Sequence, residues 1–165
     1  MPATASRDHQ RALVYAGEAA WEARLDAARR GARRATVAGS SVLLPREVLF
    51  GTLQAAQAYA DVQLADLAVP PVRLRARRGQ LRAHWSLEGG VATIALPVPE
   101  HGTSWALREA VLLHELAHHV AFHLDGAADH GPVFVRRMLE LVQVALGPEA
   151  ALALRVDYSQ SGVTG

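Results

Sequence analysis

Residues 105–134 read WALREAVLLHELAHHVAFHLDGAADHGPVF, and at the centre of this stretch stands His114-Glu115-Leu116-Ala117-His118. From 105 to 124 there is neither Gly nor Pro, and Ala, Leu and Val are abundant, so the spacing predicts a helix over 105–124. Thr103 or Ser104 can cap its start, and Gly126 can end it. Two residues four apart on a helix share one face, one turn apart. His114 and His118 are therefore spaced to share one tetrahedral Zn²⁺, at about 2.0–2.1 Å from each nitrogen. Glu115 follows the first His and is positioned to act as general base toward a metal-bound water.

A catalytic zinc takes a third protein ligand and keeps one position open for water. His119 is about 100° around the helix from His118 and faces away. His123 is also off the stripe if the helix is continuous. Ala121 and Leu124 stand where a metzincin carries Gly and His, which excludes that pattern. Glu140, on a downstream helix, reads as an ordinary exposed Glu. His130 is the best candidate. It follows a loop that can fold back, Gly131 permits close backbone approach, and the next helix, opening at Pro132, fixes the ring. Asp129 is an alternative ligand or a partner for an imidazole.

The flanks are read more coarsely. Residues 7–34 look helical and amphipathic, with Leu13, Trp21 and Leu25 on one face. Residues 42–44 read as a short strand. A second helix is expected to open at Pro45 and run to about 66. After Pro70-Pro71 the period changes to two, giving strands near 72–77, 81–87 and 91–96, with turns at Arg78-Gly79-Gln80 and Glu88-Gly89-Gly90. Helices follow from Pro132 to near Gly147 and from Pro148, with a loose tail after Tyr158. The expected fold class is α+β: one small, mostly antiparallel sheet, a meander, flanked by helices. A single domain over 1–165 is expected, with a helical part at 1–68 and the sheet and site helices at 70–155.

The 165 residues carry a formal net charge of +1, so bulk electrostatics select no partner. There is no Cys, which excludes disulfides and thiolate metal sites. All 17 basic residues are Arg, Lys and Asn are absent and Ile occurs once, a bias of GC-rich, bacterial coding. No apolar run approaches the length of a membrane span and residues 1–10 lack the core of a signal peptide, so cytoplasmic residence is the default expectation. Arg73, Arg75, Arg77, Arg78 and Arg82 read as a solvated sheet face; the competing reading is a nucleic-acid-binding face.

His114-Glu115-x-x-His118 followed by His130-Gly131-Pro132-x-Phe134 resembles the SprT-like zincin-fold metalloproteases and related small bacterial metallohydrolases. The likeness covers roughly 80–140. It implies a zincin-like core, one Zn²⁺ held by His114, His118 and His130, Glu115 as catalytic base, and a peptide or protein substrate paired with an edge strand at 91–96. The Cys-rich zinc ribbon that many SprT proteins carry is absent, which weakens any DNA-repair expectation. His84, His123 and Tyr158 are possible oxyanion donors, and none is assigned. The expected function is a zinc-dependent metallopeptidase. The alternatives are hydrolysis of a non-peptide amide and a non-catalytic, zinc-stabilised module with the Arg face as its binding surface.

Overall fold

The computed structural model describes residues 8–78, 82–98 and 107–165. In chain order these form α1 (Arg11–Arg29), β1 (Arg34–Val37), β2 (Ser40–Leu43), α2 (Leu53–Asp66), β3 (Arg73–Arg77), β4 (His84–Glu88), β5 (Val91–Pro97), α3 (Glu109–Asp125), α4 (Pro132–Leu146) and α5 (Pro148–Ser161). The α+β class is as expected. No helix among the described residues is long and apolar enough to cross a membrane.

The expected meander does not form. The sheet order is β3-β5-β4, with β3 parallel to β5 and β4 antiparallel to it, and β1-β2 make a separate antiparallel hairpin. Burial explains the order. From Ala92 to Pro97 every residue of β5 is buried, whereas β3 and β4 are largely exposed or half-buried. A strand covered on both faces belongs at the centre, and Arg-bearing strands suit the edges. The expectation that 91–96 is an edge strand is thereby overturned: the edges are β3 and β4. On β3 the outer edge is occupied, because the Gln57 side chain donates to the Val72 carbonyl (2.9 Å) and accepts from the Leu74 amide (2.8 Å). Gly89 and Gly90, at φ 57° and 81°, make the tight β4–β5 turn that the sequence announces.

Pro45 does not open a helix. Thr52 caps α2 instead, its hydroxyl accepting from the Ala55 amide at 3.1 Å. The preceding segment is extended because it pairs with the chain entering α3: Phe50 N–H donates to the Leu107 carbonyl (2.8 Å) and Glu109 N–H to the Val48 carbonyl (3.0 Å). The Glu47 carboxylate accepts from the Ala110 amide at 3.3 Å, capping α3 from another part of the chain. Glu47 also pairs with Arg108, whose guanidinium reaches Glu22 at 3.3 Å and Asp26 at 3.2 Å. Glu109 accepts from Tyr59 Oη at 2.6 Å and from the Val48 amide at 2.8 Å. The start of α3 is held there, at its N-cap Arg108; Thr103 and Ser104 lie outside the described residues.

Helix α1 buries Val14, Gly17, Glu18, Trp21, Leu25 and Ala28, a stripe at helical spacing, and lies along α5. Trp21 Nε1 donates to the Ala150 carbonyl at 3.0 Å. The α1–α5 approach depends on Gly17, where a Cβ would fall 2.8 Å from Tyr158 Cδ1 and 3.2 Å from Tyr158 Cα. Helix α5 continues past Tyr158 to Ser161, and Thr164 beyond it bonds Gln10 (2.6 Å), so the expected loose tail is tied down.

Gly17→Ala tests this contact. In an unobstructed helix the change gains up to about 1 kcal/mol. Here overpacking outweighs that gain, and urea denaturation should show a net loss of about 1–3 kcal/mol. A net gain would mean that Tyr158 moves aside without cost.

Candidate metal centre

His114 and His118 project from successive turns of α3, both buried. Gly126, in the left-handed region at φ 70°, ends that helix. Asp129 Oδ1 then accepts from the Gly131 amide at 3.1 Å, forming a local turn, and Pro132 begins α4. This reversal returns His130 to α3. His118 Nε2 lies 3.2 Å and His114 Nε2 3.3 Å from His130 Nε2. The three rings offer ligand atoms that all lie within 4.8 Å of one another. Phe134 packs on all three at 4.5–4.9 Å between ring centroids, and Tyr15 stacks on His114 at 5.4 Å and tilts against His130 at 5.2 Å.

The far side of two rings meets carboxylates. His114 Nδ1 lies 2.7 Å from Glu18 Oε2, and His130 Nδ1 lies 2.6 Å from Asp8 Oδ2. Tyr158 Oη donates to Glu18 Oε1 at 2.6 Å. Of the three possible oxyanion donors, Tyr158 has its hydroxyl turned to Glu18. Asp8, Tyr15 and Glu18 escaped the sequence reading. One signal was available for Glu18: it falls on the apolar stripe of α1, four residues after Val14 and three before Trp21.

Burial disfavours a charge on His114, but the Glu18 carboxylate more than compensates and its pKa rises to about 9. Burial, with the neighbouring His114 and His130, pushes His118 down to about 2. Burial also lowers His130, against the pull of Asp8. The metal-free cluster therefore carries its proton on His114. Burial raises the Glu115 carboxyl, opposed by His114 and by the Trp85 backbone N–H. Glu22 is pushed up to about 7 by burial in spite of Arg108.

Glu115 and His118 share with His130, Trp85 and Tyr15 a cavity of about 180 Å³. Glu115 and His114 also border a second, of about 230 Å³, between α1 and α3. Arg82 stacks on Tyr15 at 4.2 Å from the ring centroid and lines the second cavity. The other candidates lie elsewhere. His119 accepts from Trp85 Nε1 (3.1 Å) at Nδ1 and donates from Nε2 to the Pro70 carbonyl (2.7 Å), leaving no nitrogen for a metal. His123 packs on His119. Glu140 is an exposed partner of Arg137 (2.8 Å), and Asp129 serves the local turn. On the Arg face, Arg75 is held by Glu88 at 2.6 Å and Arg77 donates to the Arg82 carbonyl at 3.2 Å.

Buried imidazoles without thiolates form a donor set suited to a borderline divalent metal ion. An α+β chain with three convergent histidines belongs to a class that can hold a metal. The model of the SprT-like family matches residues 67–154, just over half of the chain, and the chain belongs to that family. No curated protein and no solved structure gives a significant match.

Because a metal binds only neutral imidazole, it must displace the proton on His114. The apparent affinity for Zn²⁺ should therefore rise by about tenfold per pH unit from pH 7 to the His114 pKa, then level off. Titration against a chromophoric chelator at several pH values measures this, and a flat profile across that window would contradict a charged His114.

Proposed function

We propose that this chain is a zinc-dependent metallopeptidase with a zincin-like core. His114, His118 and His130 are its ligands and Glu115 its general base. The observation that carries the reading is the convergence of three buried ring nitrogens beside a cavity that Glu115 also lines. A structural zinc site is closed by four protein ligands, whereas this one offers three imidazoles and adjoining space.

When bound, zinc supplies a lowered pKa for a coordinated water and polarises the scissile carbonyl. The chain's own residues do the rest. The Glu115 carboxylate accepts a proton from the nucleophile and returns it to the leaving amine. Burial raises its pKa, which brings a carboxylate closer to the neutral range where proton transfer both ways is efficient. Phe134 and Tyr15 pack against the imidazoles and fix the ring planes. The peptide strand is assigned to β4, which pairs on one side with β5 and has no strand on its other side among the described residues. Ala83, His84 and Trp85 line the same cavity as Glu115, so an extended peptide added at that edge would pass the reacting groups. The Arg face is the weaker candidate for a partner, since Arg75 is already paired.

Glu115→Gln decides between a peptidase and a metal-stabilised module. The variant should keep its zinc and lose about 10²- to 10⁴-fold in kcat on an unfolded protein or mixed peptide substrate. A chelator should abolish wild-type hydrolysis, and added Zn²⁺ should restore it. Undiminished cleavage by the zinc-loaded variant would sink the assigned role.

A further inference from the structure

The imidazoles of His114 and His130 are each held from behind by a carboxylate, and both carboxylates come from sequence outside the family match of 67–154. A neutral imidazole has one N–H and one lone pair, and which nitrogen keeps the proton depends on the partner of the other. A carboxylate only accepts. With Glu18 Oε2 at 2.7 Å and Asp8 Oδ2 at 2.6 Å, the proton of each neutral ring stays on Nδ1. Its lone pair is then on Nε2, where the three rings converge.

Glu18 is built into the interior. It is 5 % exposed, and both carboxylate oxygens are used: Oε2 by His114 and Oε1 by the hydroxyl of Tyr158, itself 2 % exposed. Of the two groups that bond it, His114 is the one that can carry positive charge, so this buried anion draws a proton or a metal ion toward the histidine cluster. Asp8 grips His130 twice, since Oδ1 also accepts from the His130 amide at 3.3 Å. Gln10 extends the hold: its Nε2 donates to the carbonyls of His130 (3.4 Å) and Thr164 (3.0 Å).

We propose that Glu18 and Asp8 are positioning residues of the metal centre, with Tyr158 holding Glu18, so that the two flanks of the family region set the orientation of two of the three ligands. The proposal rests on the reading that the three histidines hold a metal ion.

The test uses the full chain and two probes, Zn²⁺ and Co²⁺. Zn²⁺ affinity is measured by competition with a chromophoric chelator, and the visible absorption of the Co²⁺ form reports ligand geometry. Glu18→Gln and Asp8→Asn keep shape and remove charge; each should weaken Zn²⁺ binding by about 10- to 100-fold and shift the Co²⁺ bands. Tyr158→Phe should move affinity the same way by less. Thermal unfolding of the metal-free variants separates loss of fold from loss of orientation. Should Glu18→Gln fail to fold, Asp8→Asn carries the test, because Asp8 is partly exposed. Wild-type binding with unchanged affinity and spectrum in the foldable variants overturns the proposal. Failure of the wild-type chain to bind either ion overturns instead the underlying assignment of the metal site.

Discussion

Three ring nitrogens directed at one another inside a protein create a demand that the rings cannot meet among themselves. Neutral imidazoles whose Nδ1–H groups donate to carboxylates behind them, as at His114 and His130, turn their lone pairs to the shared space. Those lone pairs need a proton or a cation, and both cost more to supply in a dry interior than in water. The surroundings of His114, His118 and His130 answer that demand. Phe134 and Tyr15 close the apolar walls, and the carboxylates of Glu18 and Asp8 bias the space toward positive charge. In the metal-free state the proton on His114 serves as a substitute cation.

Such an arrangement tolerates little error in the placement of α3. Its first turn is secured by buried or half-buried groups: Glu47 on the Ala110 amide and Arg108, Glu109 on Tyr59 and the Val48 amide. Breaking a buried ion pair of this kind typically costs about 3–5 kcal/mol, because one charge is left without its partner. The other end stops at Gly126, and His119 ties the middle to Trp85 and Pro70. With register and rotation fixed, a ring at 114 and a ring at 118 can point only one way.

What the sequence made legible was local. Two histidines at helical spacing, a helix-ending Gly126 and the His130-Gly131-Pro132 turn all express their meaning within a few residues. The parts that escaped depend on distant pairing. Glu18 is 96 residues from His114 and Asp8 is 122 from His130, so no period or spacing joins them. Pro45 is a fair first residue of a helix, but backbone pairing of 48–50 with 107–109 overrides that preference. The meander failed for a similar reason. Short alternating strands in sequence suggest neighbours in sequence order, yet β5, apolar but for Thr93 and buried from Ala92 to Pro97, takes the centre position, and β3 reaches it from the far side.

The contact between Tyr158 and Glu18 has a consequence for how the protein comes into being. A chain made from its N-terminus exposes the helix bearing His114 and His118 well before residue 158 has left the ribosome. Until α5 packs along α1 at Gly17, Glu18 lacks its hydroxyl donor and His114 its fully anchored partner. The histidine cluster thus acquires its full set of supports only after α5 has been made and has packed on α1.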